Sequence, residues 1–176
     1  DTLPQPTVES NAEAKLVKSI LAVAVNDGNE ADEVLKKFPL QKALRVCAWM
    51  RRFANNALHK KGRSRVIGPL TTSELARQRQ FYIKRAQENC DLDIDRVALN
   101  LQPDKDKLLQ CRGCIQGKYP IYVPDHHLIS QRIVEEAHQH TLHGGVGLTM
   151  GHVRARYWIS RLRQLVKMLG NVVMDA

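Results

Sequence analysis

Apolar residues recur at helical spacing in six stretches of this chain and at alternate positions in one. Residues 1–9 carry two prolines and read as an extended linker. Ser10 and Glu13 then form a capping box ahead of Ala12, Leu16, Ile20 and Val23, which share one face of a helix ending near Asn26. After a short segment at 30–37, Pro39 opens a second helix. In it Leu40, Ala43, Leu44, Cys47, Met50, Ala54 and Ala57 keep the helical period, while Arg45, Arg52 and Lys60 fall on other faces. Trp49 and Phe53, four apart, sit together on its side and are expected to pack in the core. Residues 61–70, with Gly62, Ser64, Gly68 and Pro69, form a loop. A second capping box, Thr71 with Glu74, starts a helix through Leu75, Gln78, Tyr82 and Ala86 to about Asn89.

The texture changes after that. Residues 91–106 are polar and acidic and read as a linker between a helical connector at 10–90 and a second unit at 107–176. Leu109, Cys111 and Ile115, then Tyr119, Ile121 and Val123, supply short extended runs around Gly113 and Gly117, predicting a small hairpin within 107–124. Three short helices fill 125–171: one capped by Asp125 and stopped by Gly144, Gly145 and Gly147, one from Thr149 to Arg156, and one from Ser160 through Leu162, Leu165, Val166 and Leu169. The expected fold is mainly α, a helical connector followed by a small β-hairpin and a three-helix bundle.

Charge adds a possible partner to this outline. The 176 residues carry a formal charge of +9, unevenly spread. Residues 41–73 contain no acid but hold Lys42, Arg45, Arg51, Arg52, Lys60, Lys61, Arg63 and Arg65. Residues 137–174 are also acid-free and hold Arg154, Arg156, Arg161, Arg163 and Lys167, whereas the first forty residues are net acidic. Two separated basic surfaces point to an extended polyanion, since each phosphate neutralised by Lys or Arg releases counterions; a solvated helix face is the plain alternative. Aromatic residues make up only 5% of the chain, which argues against an interface built mainly on stacking. No apolar run is long enough to span a bilayer and no apolar signal core opens the chain, so no membrane partner is expected and the four cysteines are expected to be reduced, as in an intracellular protein. A chain that begins at Asp1 rather than Met is expected to be a processed or partial product.

His138 and His143 are the candidate metal ligands. Five residues turn a helix by about 140° beyond one full turn, so both rings share a face only if the helix ends between them. The glycines at 144 and 145 are where that ending falls, and two neutral imidazoles then make half of a tetrahedral zinc site. Cys111 and Cys114 lie upstream and spell, with the two histidines, a zinc-finger-like pattern with a long spacer. His126, His127, His59 and His152 have no ligand spacing and are expected at the surface. The glycine run lacks the Lys-Ser/Thr of a phosphate loop. No nucleophile with a partnered base and no carboxylate constellation is visible, so no enzyme is expected.

These stretches carry a resemblance. CRGCIQGKYPIYVP, VEEAHQHTLHGGVGLTMGHVRARYW and ISRLRQLV, within 109–165, resemble the integrase zinc-binding domain of BEL/Pao-type retrotransposons. Upstream, AEAKLVKSIL, ALRVCAWMRRFANNAL, GPLTTSEL and RAQE resemble the connector that precedes it in those polyproteins. The resemblance implies a His-His-Cys-Cys zinc bundle that assists integrase assembly and binds the element's DNA ends. Its two histidines match His138 and His143. Its Cys-x-x-Cys falls near 172–176, where this chain reads VVMDA, so the thiolate half of the site is missing. The family usually carries Arg where Cys114 stands, which makes Cys114 an incidental change in the hairpin.

The expected function is therefore a non-catalytic fragment of a retrotransposon integrase, with zinc as a possible cofactor in an incomplete site. Its implied partners are DNA, a second copy of itself, or an integrase core domain lying downstream; its implied compartment is the nucleus or a cytoplasmic particle. Arg154, Arg156, Arg161, Arg163 and Lys167 are the expected phosphate contacts. Two other readings stand beside it: a structural module that docks another protein, and the inert remnant of a decayed element that binds no metal.

Overall fold

The computed structural model describes residues 28–57, 65–90, 93–113, 119–142 and 144–174, so the linker at 1–9 and the helix expected from Ser10 lie outside the described residues. In chain order the described elements are α1 (Gly28–Lys37), α2 (Leu40–Ala57), α3 (Thr72–Glu88), α4 (Asp93–Ala98), β1 (Leu101–Pro103), β2 (Leu109–Cys111), β3 (Ile121–Val123), α5 (Leu128–His140), α6 (Val146–Arg154), β4 (Tyr157–Ile159) and α7 (Leu162–Met174). The protein is mainly helical, with one small four-stranded sheet in the order β1-β2-β3-β4. None of the described helices is long and apolar enough to cross a membrane.

The helical periodicity read from sequence places α2 and α3 correctly. Leu40, Ala43, Leu44, Cys47, Ala48 and Ala54 form the buried stripe of α2. At the start of α3 the Thr71 hydroxyl accepts from the Glu74 N–H at 3.3 Å, while the Glu74 carboxylate accepts from the Thr71 N–H at 2.8 Å. The expected capping box is thus present on both sides, satisfying two otherwise orphaned donors. Three expectations need correction here. Residues 30–37 lie within helix α1 and are not a plain connecting segment. Trp49 and Phe53 are 50% and 60% exposed: they sit off the buried stripe, and the Arg52 guanidinium lies over the Trp49 ring, 4.8 Å from its centre. Arg52, expected on an open basic face, is buried. Its guanidinium donates to both oxygens of Glu74 and to the carbonyls of Gly68 and Pro69, closing the loop between α2 and α3.

Residues 91–106 are not an unbroken linker, because they hold α4 and β1. One apolar cluster takes Leu35 from α1, Leu44 from α2, Tyr82 and Ile83 from α3, Val123 from β3, Ile129 and Ile133 from α5, Val153 from α6, Ile159 from β4, and Leu162 and Val166 from α7. Residues from both sides of 91–106 therefore share a core. Polar contacts cross the same seam. Arg79 of α3 donates to the two carboxylate oxygens of Glu136 on α5 at 2.7 and 2.8 Å. Arg132 of α5 donates to the carbonyls of Leu35 and Lys36, capping the carbonyl end of α1, where a cation also meets the negative end of the helix dipole.

The sheet holds the expected hairpin, β2 antiparallel to β3, and two strands the periodicity did not predict. β1 pairs antiparallel with β2, and β4 pairs parallel with β3 in the register Ile121↔Tyr157, Tyr122↔Trp158, Val123↔Ile159. Alternation then sorts the side chains. Val123, Tyr157 and Ile159 face the helices, and Leu101, Leu109, Cys111 and Tyr122 form a second cluster on the outer face. Gln87 of α3 locks sheet to helix: its buried amide donates to the carbonyls of Leu109 and Tyr122 and accepts from the Leu109 N–H. A fully satisfied buried amide of this kind specifies one arrangement of the strands.

Candidate nucleic-acid interface

The candidate site residues lie in the α5-to-α7 segment. α5 ends at His140, before His143, as the paired-histidine reading required. Its start differs from expectation, since the N-cap is His127, whose ring nitrogen accepts from the Ile129 N–H at 3.2 Å. His127 is half-buried rather than open to solvent, and burial pushes its pKa below the usual histidine value, so it stays neutral as a cap. Asp125 does not cap; it accepts from Arg161 at 2.6 Å. The turn after α5 carries Leu142 at φ 51° and closes with the Gly144 N–H donating to the Thr141 carbonyl at 2.9 Å. α6 starts at Val146, with Gly145 as its N-cap, so Gly147 lies inside the helix, and α7 starts at Leu162 rather than Ser160.

Thr149, expected to open α6, is instead buried within it, and its hydroxyl donates to the Gly144 carbonyl at 3.1 Å. That leaves the hydroxyl oxygen as an acceptor towards Nδ1 of His138, 3.4 Å away. The arrangement favours the Nδ1–H tautomer of His138, with the lone pair on Nε2. Gly144 is required for this turn. A Cβ there would lie 2.9 Å from the Thr141 carbonyl oxygen and 3.0 Å from a methyl of Leu148. Gly144→Ala is expected to cost about 2 kcal/mol, because backbone and not a flexible side chain must yield, and thermal melting followed by circular dichroism checks it.

His143 and Cys114 lie outside the described residues. Cys111 belongs to the outer-face cluster, where burial, aided by the charge of Asp95, pushes its thiol up to about 11 and opposes the thiolate a metal requires. Among the described residues no group of three or more His, Cys, Asp or Glu side chains is arranged to hold a metal ion. His138 and Cys111 alone do not fit zinc.

The five expected phosphate contacts are all exposed: Arg154 at the end of α6, Arg156 in the turn before β4, Arg161 ahead of α7, and Arg163 and Lys167 one turn apart on α7. They are not equivalent. Arg161 is held by Asp125 and contacts His126, so much of its charge is answered locally. Among the described residues no ion pair involves the other four. His140 and His152, which sequence reasoning did not join, stack with ring centroids 5.8 Å apart. They share a cleft of about 150 Å³ with Arg79, Glu136 and Arg156. The two histidines are twelve positions apart in the chain, and the α5–α6 turn brings them together. Trp158 and Arg112 belong to no ligand-spacing motif in the sequence; the signal at Trp158 is the alternation of Tyr157, Trp158 and Ile159.

Comparison of the chain with protein-family models, with curated proteins and with solved structures finds no match.

Proposed function

We propose that this chain is a non-catalytic nucleic-acid-binding module of a BEL/Pao-type retrotransposon integrase, gripping duplex DNA by its phosphates through Arg154, Arg156, Arg163 and Lys167. The observation that carries the reading is electrostatic. Residues 137–174 contain no acid, and four of their five Lys and Arg side chains are exposed with no ion pair among the described residues. Such a surface attracts any polyanion and grips DNA without reading its sequence. The resemblance supplies the element type and the nuclear or particle setting. Zinc, if held by His138 and His143, occupies half a site, and the shared core rather than the metal holds the helices together.

The test is the salt dependence of binding to a blunt duplex, followed by fluorescence anisotropy. At about −0.9 per neutralised phosphate, four contacts give a log–log slope near −3.6. Replacing Arg163 and Lys167 with Gln is expected to bring the slope to about −1.8 and to weaken binding at low salt. No binding at low salt, or an unchanged slope in the double variant, defeats the reading.

A second reading rests on Trp49 and Phe53, whose exposed rings on α2 suit association with a second copy of the chain. Sedimentation of the wild type beside Phe53→Ser tests it. A wild-type dimer that the substitution dissociates supports it, and a monomeric wild type removes it.

A further inference from the structure

Among the described residues, the outer face of the sheet is only partly covered. α4 lies over its β1 end, where the Tyr122 hydroxyl donates to Asp95. At the β4 end Trp158 remains 42% exposed between buried Tyr157 and Ile159. A cavity of about 730 Å³ opens there, lined by Leu99, Arg112, Tyr119, Pro120, Arg154 and Trp158 among others, with no acidic side chain among the described residues of its wall. Its volume falls within the range of small-molecule sites. The Arg112 guanidinium lies 5.3 Å from the centre of the Tyr119 ring. The backbone under Arg112 is fixed: its N–H donates to the Asn100 carbonyl, and its own carbonyl accepts from the Asn100 side chain.

Two guanidiniums, two aromatic rings and an apolar floor without a carboxylate suit one kind of ligand, a flat unsaturated ring that carries an anion. A purely apolar ligand would leave the arginines unanswered, and a simple anion would leave the indole without a role. We propose that this cavity receives one unpaired nucleotide at the end of a DNA strand, its base against Trp158 and its phosphate between Arg112 and Arg154. The proposal rests on the polynucleotide reading above and goes beyond it, since phosphate contacts along a duplex do not distinguish a frayed or overhanging end from a blunt one.

Trp49→Phe leaves Trp158 as the single tryptophan. In that protein, a duplex with a short single-stranded overhang is expected to quench Trp158 fluorescence and to bind about tenfold more tightly than the blunt duplex, the effect of one stacked base. Trp158→Ala is expected to abolish the preference and leave blunt-duplex affinity unchanged. Arg112→Gln, a surface substitution that keeps the core intact, is expected to reduce the preference and serves where Trp158→Ala does not fold. Saturation with the overhang duplex without quenching, or equal affinity for both duplexes, overturns the proposal while leaving the phosphate grip standing. Failure of the blunt duplex to bind while a single-stranded oligothymidylate quenches Trp158 supports the cavity and removes the phosphate grip.

Discussion

Tyr82→Ala is expected to destabilise the protein by about 4 kcal/mol, the usual cost of deleting a large buried ring. For a chain of this size that is a fall in melting temperature of roughly 8–16 °C. The ring is fully buried at the centre of the main cluster, and its hydroxyl donates to the Ala31 carbonyl at 2.8 Å and touches Sγ of Cys47 at 3.0 Å. One side chain thus joins α1, α2 and α3, while Ile83 and Ala86 beside it meet the sheet and the C-terminal helices in the same cluster. Tyr82→Phe keeps the ring and loses only the hydroxyl, so its cost is expected near 1 kcal/mol. The two tryptophans make the experiment more than a melting curve. Trp49 reports on α2 and Trp158 on β4, and single-tryptophan versions follow the two halves separately. Because their core is shared, both probes are expected to shift together in Tyr82→Ala. A Trp158 transition that stays at its wild-type temperature would show that the C-terminal half folds without the helices before it.

The helices that could be read from sequence were those with a long apolar stripe and a local stop or start signal. α2 and α3 have both, and the Thr71–Glu74 box needs only four consecutive residues. The elements that were not legible are those whose partners are distant. β4 is three residues long, too short for a period, and exists because Ile121, Tyr122 and Val123 present a strand for it to join. β1 is likewise set by pairing with β2. Arg52 looked like one more cation in an acid-free run, since its carboxylate partner lies 22 residues away. The same holds for Arg161 and Asp125, 36 residues apart. In the candidate site, exposure of the basic residues followed from composition, but which of them stay unpaired is a property of the fold. The cavity at Trp158 could not be foreseen, because it depends on how far α4 reaches across the sheet.

Arg79→Ala is expected to cost about 3 kcal/mol at neutral pH, a melting-temperature loss of roughly 6–12 °C, and to do so in a pH-dependent way. Arg79 and Glu136 are 18% and 14% exposed, so removing the guanidinium leaves a largely buried carboxylate with the Gln41 amide as its remaining neutral partner. Burial alone pushes the Glu136 pKa up; the hydrogen bonds and charge of Arg79 reverse this and hold it below the ordinary carboxylate value. In the wild type the pair's contribution is therefore fully present above the unfolded carboxylate pKa and is lost as pH falls through the lower folded value. Glu74, held down to about 2 mainly by its hydrogen bond from Arg52, adds to the same acid loss. In Arg79→Ala the sign at Glu136 inverts. With burial, the largest influence, opposed only by the Gln41 amide and the charge of His140, its folded pKa is expected to rise above the unfolded one, and mild acid relieves the stranded charge. The stability gap between wild type and variant is expected to narrow steadily from pH 7 to pH 4. Glu136→Gln placed in the Arg79→Ala background removes the charge at every pH, so the double variant is expected to regain part of the loss at pH 7 and to show no such narrowing. A gap that is constant with pH would mean that Arg79 stabilises through its packing, with the ion pair incidental.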